Sequence, residues 1–308
     1  MTAPMKKRFD VLGYGCVAVD DLVYVDSYPP VDSKTHVRRR ERQGGGLVGT
    51  ALVAAARLGA RCAYAAALGE DDLSAFVRQR FRTEGIDVSH VARVDGARPI
   101  HSVIVVGEDR GSRNIFADLS GLRGVAVRKS LVHSAKVLLV DHFWGDQKIR
   151  AASWARQAAI PIVADLEDDT APGFRDLLAL VDHPILPLDF GRKITARRSP
   201  RDVAAKLWNA RRKVVVLTDG GRGCWYLTGA DARQMKHLPA FKVKVVDTTG
   251  CGDVFHGAYA AGLAEGLDVE VRLRLAAATA AIKATCPGGQ TGIPRRRQVE
   301  AFLRANQL

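Results

Sequence analysis

Asp247-Thr248-Thr249-Gly250-Cys251-Gly252-Asp253-Val254-Phe255-His256-Gly257-Ala258 is the stretch on which the reading of this chain turns. It follows an apolar run, Val243 to Val246, that reads as a strand, and it opens a helix of small residues expected over about 251–265. Glycines at 250 and 252 let the backbone turn tightly and present successive N–H groups. Those groups stand at a helix N-terminus, where the dipole favours negative charge. The expected feature is an anion hole suited to a phosphoryl group in flight. Asp253 alone is ambiguous, because an Asp in a first helical turn serves equally well as a cap or dipole partner. At the same terminus the Cys251 thiol is expected to have a lowered pKa. It is read as a small filler ahead of a reactive nucleophile.

Outward from this segment, short apolar runs alternate with helical patterns. Phe9 to Gly15, Cys62 to Leu68, Lys136 to Val140, Pro161 to Ala164 and Val214 to Leu217 read as strands. Leu47 to Leu58, Asp71 to Arg82, Gln147 to Ala158 and Val203 to Arg211 read as helices, with more over 269–285 and after Pro294. The alternation predicts an α/β fold whose mostly parallel sheet is flanked by helices on both faces. Four segments break the rhythm. Leu22 to Tyr28 and Thr35 to Gln43 alternate apolar and polar residues, while His101 to Val106 and Asn114 to Ala117 flank a hairpin turn at Gly107–Gly111. They predict a small antiparallel sheet, from segments 22–43 and 101–117, extruded as a lid. Another hairpin is expected from Cys224 to Thr228 and Arg233 to Leu238. No linker or repeat interrupts the chain, so residues 1–308 are expected to form a single domain.

At 47% hydrophobic and 26% charged residues, the composition excludes extended disorder. Runs such as 137–140 and 214–217 are too short to cross a bilayer, and Met1 to Asp10 lacks the apolar stretch of a secretory signal. The 5 cysteines, at 16, 62, 224, 251 and 286, form no CxxC pair and read as reduced thiols in a cytoplasm. Lys and Arg total 46 against 33 Asp and Glu, a net charge of +13. The excess falls in separate bursts at Arg38 to Arg42, Arg192 to Arg201, Arg211 to Lys213 and Arg295 to Arg297, without interleaved aromatics. Solvated basic faces are expected, with no specific nucleic-acid partner.

In order, Asp-Thr-Thr-Gly-x-Gly-Asp-x-Phe-x-Gly-Ala resembles the C-terminal signature of the ribokinase-like (PfkB-type) carbohydrate kinases. The resemblance covers nearly the whole chain. Gly15 with Asp20 looks like the family's first strand, whose Asp bonds sugar hydroxyls. Gly44-Gly45-Gly46 ahead of Ala54 to Gly59 is similar to its diglycine hinge and following helix. Leu217 to Gly223 is similar to its nucleotide loop, and Asp247, Thr249, Thr285, Gly289 and Gly292 match a loop that holds a monovalent cation in many relatives. The resemblance implies a ribokinase-like fold and ATP-dependent transfer of the γ-phosphoryl group to a hydroxyl of a small sugar, a ketohexose such as fructose, or ribose. It implies Asp253 as general base, Gly250, Cys251 and Gly252 as the anion hole, and Asp20, Gly44 and Gly45 on the acceptor. Thr218, Gly220 and Gly223 would lie near the ATP phosphates. ATP, Mg²⁺ and K⁺ are the implied cofactors, and a homodimer through the lid the implied assembly.

The chain also departs from the pattern. The family's Asn-x-x-Glu is absent near Pro187-Leu188-Asp189-Phe190, which leaves Mg²⁺ to water, phosphates, or Glu167, Asp168 and Asp189. An Asn expected after the diglycine is missing around Leu47 to Thr50, and Cys251 stands where Ala is common. Pro239-Ala240-Phe241 and Pro287-Gly288-Gly289 look like the sulfofructose kinases. Where those carry an Arg, this chain has Asp141-His142-Phe143-Trp144, which favours an uncharged acceptor; Lys34 is the ammonium that could still meet an anion. Asp141-His142 and His256 are weaker substrate-contact candidates, and Asp165 to Asp169 reads as a solvated acidic loop or a neighbour of Mg²⁺. The competing readings are a sulfofructose or nucleoside kinase, and a non-catalytic sugar- or nucleotide-binding regulator.

Overall fold

The computed structural model describes residues 7–107, 109 and 112–306. The chain first lays down β1 (Phe9–Tyr14), β2 (Ala18–Val25) and β3 (Arg39–Gly45), then α1 (Leu47–Arg57), β4 (Cys62–Ala65) and β5 (Ala67–Leu68). Helix α2 (Asp72–Thr83) leads to β6 (Ala92–Arg93) and the pair β7 (Ile100–Gly107) and β8 (Ser112–Asp118). Next come α3 (Lys129–His133), β9 (Ala135–Asp141), α4 (Gly145–Gln157), β10 (Ile162–Asp165) and α5 (Phe174–Leu180). They are followed by β11 (His183–Pro187), α6 (Leu188–Thr195), α7 (Pro200–Leu207) and β12 (Val215–Thr218). A hairpin of β13 (Cys224–Leu227) and β14 (Lys236–Leu238) precedes α8 (Cys251–Ala264), α9 (Val269–Ala284) and α10 (Arg296–Ala305).

The main sheet has the order β14-β13-β12-β11-β10-β9-β1-β4. Its strands run parallel from β4 to β12, and the β13–β14 hairpin adds an antiparallel edge. Strand side chains alternate faces, and here both faces are covered. Val137 and Leu139 of β9 join the core that packs α1, α2, α8 and α9, while Leu138 and Val140 join the opposite core with α4 and α7. Each such fully buried side chain contributes roughly 1.5–3 kcal/mol. That is why the strands keep apolar residues at both parities instead of alternating. Local chemistry sets several helix starts. The Asp71 carboxylate accepts from the Leu73 and Ser74 amides at the head of α2, and Ser199 caps α7 ahead of Pro200.

A second sheet has the order β3-β2-β7-β8. Its hairpin pairs are antiparallel as expected, but its central pair, β2 with β7, runs parallel, so the predicted small antiparallel sheet is corrected to a mixed one. The reason is the path: between β3 and β7 the chain passes through α1, β4 and α2, and this long crossover returns it in the same direction as β2. Residues 108, 110 and 111 of the expected hairpin turn lie outside the described residues. Cys62 to Leu68 divides into β4, in the main sheet, and β5, which pairs with β6. Val243 to Val246 forms no strand. Conversely β11, which no pattern in the sequence suggested, lies in the middle of the main sheet.

Candidate active site

Gly250 is the N-cap of α8 and sits at φ 74°, the left-handed region that glycine tolerates. A Cβ there would come within 2.9 Å of the Gly289 carbonyl oxygen, so glycine also admits the loop that follows α9. The Cys251 amide donates to Thr248 O at 3.1 Å within the turn. No protein hydrogen bond engages the amides of Gly250 and Gly252 among the described residues. The three-amide anion hole expected from the sequence therefore has two donors open, with the third spent on the turn. The lowered thiol expected for Cys251 is also overturned. Burial pushes it up, and its Sγ lies 3.6 Å from Ala280 O at the foot of α9. Desolvation of the thiolate outweighs the helix terminus here.

Asp253, in the first turn of α8, lies within electrostatic reach of carboxylates from two other segments, the end of β10 and β2. Its pKa is held well above the ordinary carboxylate range, first by desolvation, then by Asp165, Glu167 and Asp20. Asp165 ends β10 and is buried, with its Oδ2 3.2 Å from His256 Nδ1. The His256 ring nitrogens also reach Gly252 O at 2.8 Å and Ile185 O at 2.9 Å. His256 thus braces α8 against β10 and β11 and is corrected from a substrate contact to a structural residue. Asp141 receives the same correction. It is fully buried, accepts from the Cys16 and Phe143 amides at 2.5 and 3.0 Å, and pairs with the equally buried Lys148.

The acidic candidates for Mg²⁺ separate. Asp168 binds Thr170 in a turn, Asp169 pairs with Lys193, and Asp189 pairs with Arg192. Glu167 remains, within electrostatic reach of Asp253. Among the described residues no group of three or more His, Cys, Asp or Glu is arranged to hold a metal by itself.

On the acceptor side, Asp20 lies on β2, and burial raises its pKa against a hydrogen bond from Ser102. Gly45, paired across the ladder with Ala18, must lack a side chain because a Cβ there would strike the Asp20 carboxylate. Gly44 leaves the corresponding room for Gln290, whose Oε1 would lie 2.5 Å from an added Cβ. Lys34 is not brought to this group. It is exposed on the β2–β3 connection, without a hydrogen bond or ion pair to the other candidates among the described residues.

A cavity of about 340 Å³ lies on the other side of the α8 terminus. Thr218, Gly220 and Gly223 line it together with Cys251 and Gly252. Alanines 277, 280, 281 and 284 of α9 give it an apolar floor, and Val243 and Val245 form a wall. This explains the strand that does not form: these valines face a cavity and solvent, with Val245 58% exposed, in place of a neighbouring strand.

The last group surrounds Asp247. Its Oδ1 accepts from Thr249 N at 2.8 Å and Thr249 Oγ1 at 2.7 Å, and its Oδ2 accepts from Gly288 N at 2.8 Å. Arg113, from β8, reaches Oδ1 at 3.3 Å. The Asp247 carbonyl accepts from Lys283 Nζ at 2.9 Å. Sequence reasoning missed Asp165 as a partner of Asp253, and Arg113 and Lys283 altogether. Lys283 did leave a signal. Arg272, Ala276, Thr279 and Lys283 recur at helical spacing along α9, and all four are buried.

With this geometry in view, residues 11–296 match the pattern of the pfkB family of carbohydrate kinases. The chain belongs to that family. This pfkB-family chain is 25% identical over 295 residues to ribokinase from Bacillus subtilis (strain 168), across 94% of this chain and 97% of that one. It is 27% identical over 285 residues to fructokinase-1 from Oryza sativa subsp. japonica, across 83% and 86%. The solved structure of Arabidopsis thaliana ribokinase, complexed with ribose and ATP, matches at a TM-score of 0.83 and 20% identity over 96% of this chain and 99% of that one. The pfkB-family chain is a phosphotransferase with an alcohol acceptor, on a ribokinase-like α/β fold. None of its described helices is long and apolar enough to cross a membrane.

Proposed function

We propose that this kinase transfers the γ-phosphoryl group of ATP to a hydroxyl of a small uncharged sugar, a ketohexose such as fructose, or ribose. One observation carries the reading. A single helix terminus lines the 340 Å³ cavity with Cys251 and Gly252, while the next residue, Asp253, lies within electrostatic reach of Asp20. The cavity would take the nucleotide, with its phosphates near Thr218, Gly220 and Gly223. Asp20, Gly44 and Gly45 would hold the sugar.

The sugar hydroxyl gives its proton to the Asp253 carboxylate as its oxygen attacks. A carboxylate with a raised pKa is the stronger base for that task. The open amides of Gly250 and Gly252 stabilise charge on the group in transfer. Mg²⁺ fits the residues present, because it keeps waters and phosphate oxygens and asks for only one or two carboxylates. Glu167 would hold it, and when bound it neutralises charge on the phosphates. The four-stranded sheet that carries Asp20 would act as a lid whose closure keeps water from the transferred group.

The clustered carboxylates Asp20, Asp165, Glu167 and Asp253 repel an anionic acceptor, and Lys34 lies apart from them. A coupled ADP-release assay comparing fructose, ribose, sulfofructose and a nucleoside tests this. A neutral sugar is expected to show the highest kcat/KM. Preference for sulfofructose beyond about a hundredfold, some 2.7 kcal/mol, would sink the acceptor assignment. Sugar binding without ADP release above background would favour the non-catalytic regulator.

We also infer that two copies associate through the same sheet, where Val103, Ile115 and Phe116 are exposed apolar residues. Light scattering should give twice the chain mass, and Phe116→Glu should shift the population to monomer. A parent protein that remains monomeric at tens of micromolar would contradict this.

A further inference from the structure

The side-chain oxygens of the loop resembling a monovalent-cation site are already engaged by protein groups. Both carboxylate oxygens of Asp247 are taken by protein donors, Thr249 N and Oγ1 on one and Gly288 N on the other. Thr285 Oγ1 turns away to donate to Ile282 O at 2.7 Å. The Ala284 carbonyl at the end of α9 accepts from Val246 N and Asp247 N, at 2.8 and 3.1 Å. Into this same loop projects the side chain of Lys283, fully buried, with its Nζ 2.9 Å from Asp247 O. A K⁺ ion added here would compete for the engaged Asp247 carboxylate and be repelled by a neighbouring ammonium at short range.

We propose that the Lys283 ammonium is the built-in cation of this loop and that the kinase requires no added K⁺. The placement makes physical sense at both ends. Lys283 occupies the last turn of a 16-residue helix, where aligned carbonyls favour positive charge. It ties that helix to Asp247, the first residue of the segment that turns through Gly250 into α8. Its charge also reaches Asp253 and Cys251, so it stabilises negative charge beside the terminus that holds the transferred group. Lys283 is a positioning residue: it sets the shape and field of the loop without touching substrate. The inference rests on the kinase reading above, and its experiment therefore has one arm that needs no turnover.

In that arm, thermal unfolding of the full chain is recorded in KCl and in tetramethylammonium chloride at equal ionic strength. The parent should melt at the same temperature in both. Lys283→Ala vacates the ammonium's space and should melt lower in tetramethylammonium and regain stability selectively in KCl. In the second arm, ADP release with fructose or ribose is measured in the same salts. The parent rate should change less than about twofold, whereas Lys283→Ala should lose at least about tenfold and recover with K⁺ or ammonium, the scale of a charge at a helix end. Lys283→Arg, which keeps the charge, should remain indifferent to K⁺. Selective stabilisation or severalfold activation of the parent by K⁺ overturns the proposal, even if Lys283→Ala fails to fold. So does a Lys283→Ala protein that is impaired but indifferent to K⁺. Absence of ADP release with every acceptor would refute the kinase reading, while the unfolding arm still decides the cation.

Discussion

Asp253→Asn should lower kcat by at least about two decades while leaving both KM values nearly unchanged. The Asn side chain is nearly isosteric but cannot accept the hydroxyl proton, and general-base catalysis is typically worth about 10²–10⁴-fold. ATP binding rests on the cavity and loop backbone, which the substitution leaves in place, so the loss falls in the transition state. Desolvation and the Asp165 and Glu167 carboxylates hold Asp253 above the ordinary carboxylate range. The acidic limb of the kcat/KM profile should lie correspondingly high, with activity lost as pH falls through it, and the limb should be absent from the variant. Stability moves the other way. A carboxyl whose folded pKa is raised binds more protons folded than unfolded, so it subtracts stability as pH rises through that window. Asp253→Asn should therefore be at least as stable as the parent at neutral pH, and measured denaturation midpoints would check it. Asp20→Asn is the control and should act chiefly on the acceptor KM. Near-normal turnover by Asp253→Asn would make Asp253 a helix cap.

Lys148→Met should cost about 3–5 kcal/mol of folding stability, the penalty for leaving a buried charge without its partner. Lys148 and Asp141 are both fully buried and paired. The ammonium also lies 5.0 Å from the Trp144 ring centroid, adding a cation–π contribution that Met cannot replace. Asp141 would keep only the Cys16 and Phe143 amides. Cys16 lies at the corner between β1 and β2, so the pair anchors the strand that carries Asp20. Denaturant midpoints at constant slope measure the loss. The double variant Asp141→Asn with Lys148→Met should recover much of it, because no unpaired charge is then buried. A single-variant cost below about 1 kcal/mol would show that the Asp141 charge is adequately held by its amides alone.

Much of the fold was legible in the sequence, and the exceptions have physical causes. Continuous apolar runs such as Lys136 to Val140 announced strands buried on both faces, and the alternation with helices announced the parallel sheet. His183 to Pro187 was not readable, since an opening His-Pro and so short an apolar stretch carry little strand signal; the neighbours β10 and β12 make it a strand. Val243 to Val246 failed in the opposite sense. Its composition suits a strand, but pairing needs a partner, and the cavity stands where one would be. At the candidate site the Gly250 to Asp253 turn was readable because a tight turn and a helix start are coded by adjacent residues. The partners Asp165, Arg113 and Lys283 were not, because each meets Asp253 or Asp247 only through the packing of separate elements.

The sequence by itself determined what neighbours along the chain control: the alternation of elements, the glycine turn into α8, the carboxylate at its first turn and membership of the kinase signature. Tertiary structure alone decided which charges share a site. It separated Asp168, Asp169 and Asp189 from Asp253, turned His256 and Asp141 into buried braces, spent the Cys251 amide on its own turn, and placed the Lys283 ammonium beside Asp247. Turn and helix preferences act over a few residues through backbone sterics and local hydrogen bonds. Desolvation and charge–charge coupling act through space, and their sign at each side chain is set only when distant elements close around it.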